Sequence, residues 1–120
     1  MLKIADNFPF LVAVENNEVI GYAYLNAFNE RSAYRYTADL SLYLNKDYCH
    51  KGIGNFLYCE VEKQAKQFGI KNLISIITAQ NENSLRFHEK MGFLYIGELK
   101  EVGYKFNQWL SVKYYQKRIN

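Results

Sequence analysis

The chain has one proline, two cysteines and no long hydrophobic run, and neither sign of charge dominates it. Each scarcity removes a class of protein. A single proline beside 22% charged and 49% hydrophobic residues argues against disorder, and 120 residues suit one compact domain over residues 1–120 with a real core. Without about 18 consecutive apolar residues, no helix is expected to cross a membrane. Met1 to Phe10 carries Asp6 and no long apolar stretch, so it does not read as a secretory signal, and the expected compartment is the cytoplasm. Cys49 and Cys59 match no metal spacing and read as free thiols, so no metal is expected. The net charge of +3 is mild, and Lys113, Lys117 and Arg118 form the one notable basic cluster. A nucleic-acid binder usually carries a denser basic stripe, whereas an anionic small ligand suits this excess equally well.

What is abundant is aromatic: 17% of the chain, with eleven tyrosines, much of it in apparent strands where aromatics pack well. Phe10 to Val14 and Val19 to Phe28 flank Asn16-Asn17, and asparagine tolerates the positive φ of a hairpin turn. A third strand is expected around Tyr34 to Leu44, where Leu40, Leu42 and Leu44 alternate with Ser41 and Tyr43. Gly52 to Phe68 reads as a helix whose apolar stripe is Ile53, Phe56, Leu57, Val61, Ala65 and Phe68, ended by Gly69. Asn72 to Thr78 reads as a buried strand, parallel to the third because a helix separates them. A second helix is expected over Ser84 to Met91, capped by asparagine and ended by Gly92. Strands near Phe93 to Val102 and Gln108 to Lys117 close the chain, joined by a loop holding Gly103. The order β-β-β-α-β-α-β-β predicts an α/β (α+β) fold, one mixed sheet with helices packed on it.

The segment with the clearest chemical meaning is His50-Lys51-Gly52-Ile53-Gly54-Asn55, between a strand and an amphipathic helix. A glycine-bearing turn lets backbone N–H groups converge on a phosphate, and the helix N-terminus adds roughly half a positive charge. Lys51 and His50 add positive potential. The third glycine of a dinucleotide fingerprint is missing, as is the Gly-Lys-Ser/Thr of a Walker loop. An ordinary glycine turn entering a helix is the competing reading.

Cys49 to Gly54 resembles the Gln/Arg-x-x-Gly-x-Gly/Ala signature of the GNAT superfamily of N-acetyltransferases. Asn81 to Phe93 resembles a second signature of that superfamily, Asn-x-x-Ala/Ser-x-x-x-Tyr-x-x-x-Gly-Phe. A closer likeness is to its phosphinothricin acetyltransferase branch, over Pro9 to Ala13, Gly21 to Tyr24, Arg31 to Tyr34, Asn81 to Gly92 and Gly103 to Trp109. Cys49 departs from the signature, and Asp39 stands where the branch has a glutamate, one methylene or roughly 1.5 Å longer. Members usually begin with a strand and two helices that this chain is expected to lack.

The resemblance implies acetyl-CoA as co-substrate and a small-molecule amine, an amino acid or an analogue such as phosphinothricin or methionine sulfone, as acceptor. It implies Asp39 as the base that takes the ammonium proton, directly or through water, and His88 as a proton donor to the thiolate or a second base. The cofactor would be held by the backbone at Leu42, Tyr43 and Leu44, by His50, Lys51, Gly52, Ile53, Gly54 and Asn55, and by Asn81 and Ser84. Each has a plainer reading: Asp39 as a surface carboxylate, His88 as a packed helix histidine, Asn81 as a cap. For Tyr36, Tyr43 and Trp109, core packing is preferred to a pocket role. Two other functions stay open, a shortened non-catalytic coenzyme A-binding or dimerisation module and a basic nucleic-acid binder. An uncovered sheet edge suggests a homodimer.

Overall fold

The computed structural model of the protein describes residues 8–48 and 52–120. Strand β1 (Phe10–Glu15) turns back through Asn16-Asn17, both at positive φ, into β2 (Glu18–Ala27). Strand β3 (Thr37–Leu44) is antiparallel to β2, helix α1 (Ile53–Gln67) follows, and β4 (Asn72–Thr78) lies parallel to β3. Helix α2 (Glu82–Lys90) and the hairpin of β5 (Leu94–Lys105) and β6 (Gln108–Arg118) complete the order β1-β2-β3-β4-β6-β5. This is the expected mixed sheet.

Both helices lie on one face. Helix α1 crosses β1, β2 and β3, and α2 joins it through Tyr58–Phe87 contact while reaching β6 through Tyr115. Ala23, Leu25, Ala38, Leu40 and Leu73 from the sheet close on Leu57, Tyr58, Val61 and Ala65 from α1. The other face is aromatic and open. Phe10 stacks on Tyr24 at 5.3 Å between ring centroids, Tyr24 on Tyr22 at 5.8 Å, and Tyr22 on Tyr43 at 5.3 Å.

Several expectations are corrected. Phe56 is 69% exposed, because the buried stripe of α1 is Gly54, Leu57, Tyr58, Val61 and Ala65, centred a residue later than the sequence suggested. Tyr34 belongs to a 3-10 turn, Ser32–Tyr34, so β3 starts at Thr37. Helix α2 starts at Glu82, directly after its cap Asn81, two residues before the expected start. Gly103 lies inside β5 beside a register shift, and the turn to β6 is Phe106-Asn107, both at positive φ. Tyr36, Tyr43 and Trp109 are exposed, not core: strand alternation points Tyr43 away from the helices, and Trp109 lies beside the hairpin turn with Tyr104 as its ring partner.

A charged cluster ties α1 to the end of β6. Lys117 donates to Glu62 at 2.8 Å, Lys66 lies 3.4 Å from the same carboxylate, and the Tyr58 hydroxyl donates to it. Burial alone would raise the Glu62 pKa, but these three donors overcome it and hold the carboxyl below its ordinary value.

Candidate active site

Parallel pairing of β3 with β4 stops early. The matched pairs are Thr37 with Asn72, Ala38 with Leu73 and Asp39 with Ile74, after which the strands diverge. Each keeps its outer ladder, β3 to β2 up to Leu44 and β4 to β6 up to Thr78, so only the inner edges open. Alternate backbone groups along those edges therefore face the gap without a strand partner, and a ligand threaded there would satisfy them. The gap is a cleft of about 210 Å³, lined in part by Leu40, Leu42, Ser75, Asn81, Ser84 and His88.

Helix α1 begins at the open end. Its N-cap, Gly52, sits at φ 79° with no side-chain cap, a left-handed conformation that disfavours any other residue. No acidic residue occupies the first turn, so the amides there, which have no partner within the helix, keep their positive character toward an incoming anion. Gly54 lets three parts approach: a Cβ there would lie 3.3 Å from the Phe87 ring and 3.6 Å from Leu44. The two sequence signatures, 34 residues apart at Gly54 and His88, thus meet through Phe87. His50 and Lys51, with Cys49, lie outside the described residues.

Asp39 marks the closed end, in the last matched pair of the ladder, with Asn26 across on β2. Its Oδ1 is buried and has no hydrogen-bond partner among the described residues, and burial raises its pKa above the ordinary 3.8. The side chain is half-buried, with one carboxylate oxygen withdrawn from solvent.

His88 is 3% exposed, packed 4.9 Å from the Phe93 ring and 6.3 Å from that of Tyr115. Burial lowers its pKa, opposed by a 2.8 Å bond from Nδ1 to the Ser84 carbonyl. A carbonyl only accepts, so Nδ1 carries the proton and the neutral ring keeps its lone pair on Nε2. Ala38 and Leu40 face the helices, so Asp39 between them faces the open side while His88 lies under the helices. The two therefore belong to opposite faces of the sheet.

Asn81 caps α2, its Oδ1 accepting from the Ser84 amide at 3.2 Å, and both residues also line the cleft. Leu42 lines it too, whereas the side chains of Tyr43 and Leu44 point elsewhere, toward Tyr22 and Gly54. Ser75 was missed by the sequence reading. The signal was there: in Asn-Leu-Ile-Ser-Ile-Ile-Thr it shares the buried parity of Leu73 and Ile77, so a hydroxyl falls on a core position.

A mixed sheet split between two parallel strands, with a glycine-capped helix at the mouth of the split, is a frame this chain shares with solved acetyltransferases. The chain belongs to the acetyltransferase (GNAT) family, whose model matches residues 2–93. It is 31% identical over 115 residues to a phosphinothricin N-acetyltransferase of Streptomyces viridochromogenes, covering 96% of this chain and 63% of that one. With the L-amino acid N-acyltransferase MnaT of Escherichia coli it shares 31% over 113 residues, 94% of this chain and 66% of the relative. The phosphinothricin acetyltransferase of Sinorhizobium meliloti, solved with acetyl-CoA, superposes with a TM-score of 0.85 at 34% identity, over 93% of this chain and 61% of that one. The chain thus spans less than two thirds of these relatives.

Proposed function

We propose that this chain transfers an acetyl group from acetyl-CoA to the amine of a small molecule, an amino acid or an analogue such as phosphinothricin or methionine sulfone. The carrying observation is the cleft that opens between β3 and β4 where their pairing stops at Asp39, a residue whose Oδ1 is buried and has no hydrogen-bond partner among the described residues. The relatives are named for phosphinothricin and for L-amino acids, which supports that class of acceptor.

Asp39 takes the ammonium proton, directly or through one water. A carboxylate whose pKa is raised by burial is a stronger base than an exposed one. The first turn of α1, Gly52 to Asn55, with His50 and Lys51 before it, receives the pyrophosphate. The inner edge of β3 around Leu42 to Leu44 hydrogen-bonds the pantetheine arm leading to the thioester, and Asn81 and Ser84 flank it. His88, with its lone pair on Nε2, is suited to accept a proton on the helix side rather than to donate one. Holding both reactants in line contributes the larger part of the rate.

Calorimetric titration with acetyl-CoA and an assay of free thiol release over a panel of amines test this. Binding is expected, and Gly52→Ala is expected to weaken it at a stability cost of about 1–2 kcal/mol from its left-handed φ. Binding without thiol release for any amine would favour the non-catalytic module. No binding at millimolar acetyl-CoA would end both readings.

A homodimer is part of the same proposal, supported by the place of β1 at the edge of the sheet among the described residues and by the aromatic ridge beside it. Light scattering coupled to gel filtration is expected to give twice the 14.1 kDa chain mass; a monomer at every concentration would refute it.

A further inference from the structure

Ser75 is the first residue of β4 beyond the last pair with β3, so it stands where the cleft closes. It is 2% exposed, and its Oγ has no hydrogen-bond partner among the described residues. Its cross-strand neighbour on β6 is Tyr115, whose ring lies 6.3 Å from that of His88, so Ser75 faces the helix side of the cleft. An orphaned hydroxyl on a core position weakens the free protein unless something else meets it. The cleft is what it borders.

The direction of a bound thioester follows from the frame. Helix α1 starts beside Leu44 at the open end, and Leu40 lies four residues back along β3, about 13 Å at the usual rise per residue. A ligand anchored by its pyrophosphate at the helix therefore presents its acyl end to the closed end, between Asp39 on one face and Ser75 on the other. We propose that Ser75 is a specificity residue for the acylated form of the coenzyme: its hydroxyl donates to the thioester carbonyl oxygen, an acceptor that free coenzyme A lacks. The inference rests on the acetyl-CoA reading above.

Ser75→Ala and the wild type are titrated by calorimetry with acetyl-CoA, coenzyme A and ADP bearing a 3′-phosphate, and the Tm of each free protein is recorded. The variant is expected to lose roughly fivefold to tenfold in acetyl-CoA affinity, the worth of one neutral hydrogen bond, with the other two ligands unchanged. Its free-state Tm is expected to hold or rise, since an unpaired buried hydroxyl has been removed. Ser75→Cys, similar in volume but a weaker donor, is expected to fall between the two. Equal losses for acetyl-CoA and coenzyme A, or an unchanged acetyl-CoA affinity, overturn the role of Ser75. Wild type that binds none of the three overturns the acetyl-CoA reading itself.

Discussion

Asp39→Asn is expected to lower kcat/KM by about 10²–10⁴, the usual worth of a positioned general base. Acetyl-CoA affinity is expected to stay as it is. The variant keeps the size and loses only the charge, so folding survives. Burial makes the folded-state carboxyl hold its proton to higher pH than the unfolded one does, above the ordinary 3.8. For a carboxyl shifted upward, stability falls as pH rises from 3.8 through the folded-state value, and the deficit persists at neutral pH. Removing the charge should therefore leave the neutral-pH Tm equal or higher, a result no structural ion pair would give. In the wild type, the acid limb of the kcat/KM profile should lie above 3.8 and vanish in the variant. A full rate in Asp39→Asn would remove the residue from the mechanism.

Tyr115 is where the largest loss of stability is expected. Its side chain is 2% exposed, packs against Tyr95 and His88, and donates to Glu89 of α2 at 2.8 Å. Burial, and then that carboxylate, push its pKa up to about 12, so the hydroxyl stays protonated and able to donate. Tyr115→Ala removes an aromatic side chain from beneath α2 and is expected to cost about 3–5 kcal/mol, read from the midpoint of urea unfolding. Tyr115→Phe keeps the ring and should cost about 1 kcal/mol. Because His88 leans on this ring, the alanine variant should also lose activity beyond what unfolding explains. Equal midpoints for both variants would show that the ring contributes nothing to the packing of α2.

The elements carried by a strict local pattern were the most legible. Asn72–Thr78 matches the expected strand at both ends, because a short segment rich in isoleucine between polar flanks favours a strand. Asn16-Asn17 was readable as a turn because positive φ is written in residue type. The stripe of α1 was less so: Phe56 and Tyr58 flank Leu57 at equal angles, and only the position of α2 decides that Tyr58 turns inward. The exposed aromatic ridge was unreadable for a similar reason. Alternation says that Tyr43 and Leu44 point opposite ways, but which side the helices cover depends on how they pack.

The sequence by itself determined the order of elements, the parallel relation of β3 to β4, the glycine-bearing turn at the start of α1 and the two signatures of the acetyltransferase family. All of these rest on residue type and short spacing. Only the tertiary structure decided that the β3–β4 ladder stops at Asp39 and Ile74, that Asp39 and His88 belong to opposite faces, and that Ser75 borders the cleft without a partner. The physical reason is that strand pairing and burial are made by groups far apart in the chain. The charge state of a carboxyl and the satisfaction of a hydroxyl depend on what surrounds them, not on their neighbours in sequence.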